Sequence, residues 1–311
     1  MTSCAIQAQG LARRYGEVVA VDSLDLEIGE GEFFGLLGPN GSGKTTTIHM
    51  LATLVRPTAG SARVAGFDVG TDPVKARGQI GLVFQESALD RTLSVAENLR
   101  FAGMLYGLPK AEIERRAKAL LDLFGIADKF HAPTAALSGG QRRALDIIRG
   151  VIHEPRVLFL DEPTIGLDIP VRRRIWRFIE GLRQRNRMTV LLTTHYLEEA
   201  DACERVAFIR RGRLVTQGAP RALVENLGRH AIEFESRDID ALLERAQPAL
   251  GKGLKEGNTA LFLHAQEDTA PLARLQDELG DLVTAMRVRR PNLNDVFLWV
   301  HAGADLPGGR P

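Results

Sequence analysis

A chain of 311 residues with a hydrophobic share of 44% can bury one large core and leave room for a small second domain. Lys+Arg 40 against Asp+Glu 39 leaves a net charge of +1, so no global field draws the chain onto nucleic acid and no such partner is expected. The two cysteines, Cys4 and Cys203, lack metal-ligand spacing and cannot form a disulfide framework, and no apolar run reaches the roughly 18 residues that span a bilayer.

The opening stretch MTSCAIQAQG has neither a charged n-region nor an apolar h-region, so no signal peptide is expected, and the sparse thiols suit the reducing cytosol. Short strands are predicted over Ile6 to Leu11, Val18 to Val21 and Leu24 to Ile28; the last alternates Leu24, Leu26 and Ile28 with Asp25 and Glu27. Tyr15 falls in the turn between the first two strands. As a residue it is equally good as hydrophobic padding or as a π-face for a base.

Glu32 to Leu37 reads as a buried strand, and Thr45 to Leu54 as a helix. Between them lies GPNGSGKTT, Gly38 to Thr46, which fits G-x-x-x-x-G-K-[ST] at Gly38, Gly43, Lys44 and Thr45. Glycines let successive backbone N–H groups of Gly38, Asn40, Gly41, Ser42 and Gly43 curl round an anion, with Pro39, which has no N–H to give, among them. Lys44 offers a point charge to β- and γ-phosphates, and the Thr45 hydroxyl a ligand to Mg²⁺, with Thr46 beside it. A Gly-rich turn that binds nothing is the alternative. The strand before and the helix after decide for nucleotide binding, because they set a helix N-terminus under the phosphates.

Beyond a turn at Pro57 and Gly60, Ser61 to Ala65 returns as a strand, and Ile80 to Phe84 is a buried strand ending on Gln85. Helical periodicity follows, with Gly107-Leu108-Pro109 separating two helices in an insertion of about 90–136. Leu137-Ser138-Gly139-Gly140-Gln141 precedes a helix from Arg142 to His153. Val157 to Leu160 is a buried parallel strand that stops at Asp161-Glu162; a strand Thr189 to Thr193 has His195 just past its end. A hairpin is expected from Arg205 to Gln217 over Arg211-Gly212. Alternating strands and helices make a largely parallel sheet with ligands at its carboxyl ends. Alone, Asp161-Glu162 reads as a turn. After a buried strand, beside a phosphate loop, it reads as a Mg²⁺-holding carboxylate and a neighbour that polarises water. The tail from Gly228 predicts β-α-β-β-α-β: Ile232 to Glu235, Ile239 to Leu250, two strands round Gly257-Asn258, a helix Ala270 to Leu279, and Val283 to Val288.

From Tyr15 to about Asn226 the motifs, in order, resemble the nucleotide-binding domains of ABC transporters: phosphate loop, Gln85, Leu137 to Gln141 as signature, VLFLDEP, Gly166-Leu167-Asp168 and His195. The resemblance implies a P-loop NTPase core of α/β class with antiparallel β and helical subdomains (1–227), and a small α+β C-terminal domain of ferredoxin-like order (228–311). It implies Tyr15 stacking adenine, Lys44 and Thr45 on phosphate and Mg²⁺, Asp161 and Gln85 in the Mg²⁺ shell, and Glu162 as catalytic base with His195 at the γ-phosphate. Ser138, Gly139, Gly140, Gln141 and Asp168 would meet the ATP of a second copy in a head-to-tail dimer. Ile165 departs from the family, which usually has a small or polar residue there. Arg290 to Leu298 (RPNLNDVFL) and THYLEEAD resemble the daunorubicin-resistance type of exporter ATPase. That branch implies a cytoplasmic subunit, peripheral on the inner membrane face through a separate ABC-2 permease. A soluble non-transport ATPase of the family and an importer subunit are the alternatives.

Overall fold

The computed structural model describes residues 4–264 and 278–303. They form two compact units: one runs to Tyr196 and includes Ile209–Leu214, the other contains Leu197–Phe208 and the chain from Val215.

In the first unit, β1 (Cys4–Tyr15) and β2 (Val18–Gly29) make a long antiparallel pair, extended by β4 (Ala59–Val64) and β5 (Phe67–Asp68) in the order β2-β1-β4-β5. The sequence divides β2 at Asp22-Ser23, but the strand continues. Ser23 takes φ 52° and the register slips between Leu11↔Leu24 and Arg13↔Val21, so the polar pair is absorbed as a bulge. Four parallel strands form the centre: β3 (Phe33–Leu37), β6 (Ile80–Val83), β7 (Val157–Asp161) and β8 (Thr189–Thr194), paired β3-β8-β7-β6. Every residue of β3, β7 and β8 is buried, which is why these strands read as continuous apolar runs rather than alternating ones.

Helices α1 (Lys44–Leu51) and α2 (Pro73–Gly78) follow β3 and β5. The insertion is a helix pair, α3 (Val95–Leu105) and α4 (Lys110–Phe124). Ser94 and Glu97 close a capping box that starts α3. Gly103 lets α4 approach: a Cβ there would lie 2.5 Å from Ile113. Then come α5 (Gly139–Val151) and α6 (Ile169–Asn186), each opened by a side-chain cap, Ser138 and Asp168.

The chain continues through α7 (Leu197–Ala200), β9 (Arg205–Arg210), β10 (Arg213–Gly218) and α8 (Pro220–Glu225). The β9–β10 turn is Arg211-Gly212, both at positive φ, as a two-residue hairpin requires.

In the second unit, β11 (His230–Glu235), α9 (Ile239–Leu250), β12 (Leu254–Glu256), β13 (Thr259–His264), β14 (Ala285–Arg289) and α10 (Leu293–Ala302) follow in order. The sheet order is β12-β13-β11-β14, antiparallel throughout, the arrangement of a ferredoxin-like unit. Phe234, Phe262, Leu242 and Ile239 fill the core beneath it. The helix expected over Ala270 to Leu279 lies outside the described residues except for its last two, which are helical. RPNLNDVFL is explained as a helix start. Asn292 caps α10, Asp295 reaches back to the Asn292 N–H at 2.8 Å, and Arg289 forks onto Asp295 at 2.7 Å and Glu233 at 2.7 Å. No helix among the described residues is long and apolar enough to cross a membrane.

Candidate functional site

Strand β3 delivers the chain to Gly38, and α1 begins at Lys44, so the loop between them is held at both ends. Two glycines are there because nothing larger fits. A Cβ on Gly38 would stand 2.2 Å from the Ile209 carbonyl, and one on Gly43 would stand 2.4 Å from that of Ala20. Gly43 offers no side-chain cap, leaving the first-turn N–H groups of α1 for another acceptor. Lys44 is 5% exposed and its Nζ donates to the Gly38 and Pro39 carbonyls at 2.8 and 3.1 Å. Burial pushes its pKa down, while the nearby Glu162 and Asp161 carboxylates push it up. The Ser42 hydroxyl is buried in the same loop with no hydrogen-bond partner among the described residues. A buried orphan hydroxyl beside free N–H groups and a lysine is a cradle fitted to phosphate.

The carboxylates stand at the end of β7. Thr45 Oγ1 donates to Asp161 Oδ1 at 3.2 Å, and Thr193 Oγ1 donates to the same oxygen. Glu162 takes φ 45°, uncommon for a residue with a side chain, and its N–H is held by Thr193 O at 3.1 Å and Oγ1 at 3.2 Å. His195 Nδ1 lies 3.3 Å from Glu162 Oε2. Hydroxyl, carboxylate and the Gln85 amide are hard oxygen donors of the kind Mg²⁺ takes. An open cleft of about 690 Å³ has Tyr15, the loop from Asn40 to Thr46, Gln85, Glu162, Ile165 and His195 on its walls. Tyr15 ends β1, 43% exposed, with the Arg13 guanidinium 4.4 Å above its ring.

Ser138, Gly139, Gly140, Gln141 and Asp168 are not brought to this cleft. Ser138 accepts from the Gln141 N–H at 3.2 Å, and Gln141 Oε1 accepts from the Ser138 N–H at 2.9 Å. The Gln141 side chain is thus turned onto its own helix start. A Cβ on Gly140 would lie 2.5 Å from Val171, so α5 and α6 touch there. Asp168 Oδ1 caps α6 through the Val171 N–H at 2.9 Å.

Two participants escaped the sequence reading. Thr193 orients both acidic residues, yet it reads as one more buried strand residue. Arg143, 8% exposed, donates to the carbonyls of Pro163, Phe84 (2.6 Å) and Glu162 (3.2 Å). Its place after Arg142 gives no sign that it is buried.

Residues 21–165 match the family described as ABC transporter. The chain is 39% identical over 299 residues to the Nod factor export ATP-binding protein I of Ralstonia nicotianae, covering 94% of this chain and 92% of that one. It is 40% identical over 291 residues to the daunorubicin/doxorubicin resistance ATP-binding protein of Streptomyces peucetius, covering 93% and 86%. Among solved structures it is similar to an ATP binding subunit of an ABC transporter, with TM-score 0.65, 27% identity, and 71% and 92% of the two chains covered. A dimeric ATP-binding cassette in a post-hydrolysis state with ADP and Pi matches with TM-score 0.62 and 27% identity, over 69% and 98%.

Proposed function

This chain belongs to the ABC transporter ATP-binding family, and from that membership we propose that it is the ATPase subunit of an ABC-2-type exporter, working through a separate membrane permease. Similarity to proteins named for Nod factor export and for drug resistance supports the outward direction. The groove beside Leu54, Leu105 and Tyr106, with exposed Phe101 and Met104 near it, supplies an apolar seat for the permease on the inner membrane face.

In this reading Tyr15 stacks the adenine, and the N–H groups from Gly38 to Thr46 with Lys44 hold the phosphates. Thr45, Asp161 and Gln85 hold Mg²⁺, which when bound neutralises phosphate charge. Glu162 orients the attacking water and takes its proton; His195 contacts the γ-phosphate. Ser138, Gly139, Gly140, Gln141 and Asp168 face the nucleotide of a second copy, which gives a head-to-tail dimer closed by ATP. Residues 1–227 act as the ATPase domain and 228–311 as an accessory.

The observation that carries this reading is the division of the site. Glu162, His195 and the phosphate loop share one cleft, whereas exposed Ser138 opens a helix away from it. Charge-assisted hydrogen bonds to a second copy's phosphate are about twice as strong as neutral ones. Glu162→Gln removes the base but keeps its shape, so it should bind ATP, lose turnover by orders of magnitude and sediment as a dimer only with Mg-ATP. Ser138→Arg in that background should stay monomeric. Near-normal turnover of Glu162→Gln would refute the catalytic assignment, and dimerisation of the double variant would refute the signature assignment.

A further inference from the structure

The loop that follows β6 carries Gln85, and α5 grips it at two points. Arg143 Nη1 donates to the carbonyls of Phe84 at 2.6 Å and Gln85 at 3.5 Å. Asp146, one turn along the same helix and 6% exposed, accepts the Ala88 N–H at 3.2 Å. Gln85 is thus bracketed on both sides. The other edge of the Arg143 guanidinium reaches the end of β7, where Nη2 donates to Asp161 O at 3.4 Å and Glu162 O at 3.2 Å, and Nε donates to Pro163 O. A guanidinium has five donors in a rigid plane, so a single buried group fixes the spacing between the two segments. Among the described residues its hydrogen-bond partners are backbone carbonyls. It therefore sets where the chain runs, not which side chains it carries.

We propose that Arg143 and Asp146 are positioning residues that lock Gln85 at a fixed distance from Glu162, and that they tie both to the helix that Ser138 caps. The inference rests on the assignment of Gln85 and Glu162 to the ATPase site. Neither Arg143 nor Asp146 lines the cleft, so their effect passes through backbone.

A double-mutant cycle on the full chain separates this from ordinary core stabilisation. Mg-ATP turnover and ATP affinity are measured for Gln85→Ala, Arg143→Met and the pair. Gln85→Ala alone should slow turnover about tenfold or more, and Arg143→Met should do the same with affinity changed by less than about threefold. In the pair, adding Gln85→Ala should cost less than about threefold further, because Gln85 is already out of place. If the two factors simply multiply, Arg143 is only a structural residue and the inference falls. If Gln85→Ala alone leaves turnover unchanged, the assignment of Gln85 is wrong and the inference goes with it. Should Arg143→Met not fold, amide exchange at Ala88 decides. Asp146→Asn keeps the acceptor and should keep protection, whereas Asp146→Leu should raise exchange about tenfold or more. Equal protection in both would overturn the two-point grip.

Discussion

Replacing Thr193 by Val removes a hydroxyl that serves both acidic residues while nearly keeping the side-chain volume. Thr193 is fully buried, so water cannot substitute for what is lost. The hydroxyl donates to the Asp161 carboxylate, and a hydrogen bond to a charged group contributes about 1.5–3 kcal/mol. It also accepts the Glu162 N–H, but that donor keeps the Thr193 carbonyl at 3.1 Å, so little is added. The sum is about 2 kcal/mol of stability, set by the carboxylate bond. Asp161 then has only the Thr45 hydroxyl of its two side-chain donors, and the Glu162 N–H loses one of its two acceptors. A loss of about 1.4 kcal/mol in transition-state stabilisation is tenfold in rate, so turnover should fall about tenfold or more. Thr193→Ser is the control: it keeps the hydroxyl and drops one methyl, about 0.5–1.5 kcal/mol by analogy with Ile→Val. Its turnover should stay within about threefold of the parent. Urea midpoints and steady-state phosphate release on both variants check the reasoning. If Ser loses as much turnover as Val, the methyl packing matters and the hydroxyl does not.

Three further outcomes are expected. A chain ending at Leu227 should still bind Mg-ATP, since every residue on the cleft wall lies at or before His195; a folded truncation without nucleotide affinity would show the tail to be part of the site. Burial pushes the His153 imidazole down to about 4, so the fold prefers the neutral ring while the unfolded chain protonates it near 6.5. Its contribution is complete above about 6.5 and is lost as pH falls from there toward 4, so His153→Gln should flatten the decline of Tm over that window, and an unchanged slope would sink the assignment. Asp295→Ala should cost about 2–3 kcal/mol, below the usual value for a broken buried pair because Arg289 keeps Glu233; a loss of under about 0.5 kcal/mol in unfolding free energy from urea titration of the second unit would contradict this.

What the sequence made legible was local. The phosphate loop has geometry enforced within a few residues, so its spacing is readable; Asp161-Glu162 is readable only after its buried strand, and the signature only through the family resemblance. Continuous apolar runs mark β3, β7 and β8, and the predicted helix Ile239–Leu250 has its observed bounds. What was hidden depends on distant partners. Ser23 looks like a break and is a bulge because β1 pairs across it. Arg143 looks like a surface arginine and is buried because Phe84 and Pro163, 59 and 20 residues away, present it with carbonyls. Gln141 looks free to contact a ligand, but the capping box folds its side chain back onto its own helix start.

The β9–β10 turn has a bearing on the order in which the protein is made. Gly212 accepts the Asp22 N–H at 2.8 Å and donates to Ser42 O at 2.9 Å, and Ile209 O walls in Gly38. The phosphate loop is therefore braced by a hairpin tip about 170 residues downstream, after every residue on the cleft wall has been translated. On the ribosome, a nascent chain that has emerged only to Asp201 carries every residue on the cleft wall but not the brace. ATP should bind such a chain poorly and bind one released at Gly218 well. Binding of a fluorescent ATP analogue to arrested chains of the two lengths measures the difference, and equal affinity would mean that the loop sets itself without the hairpin.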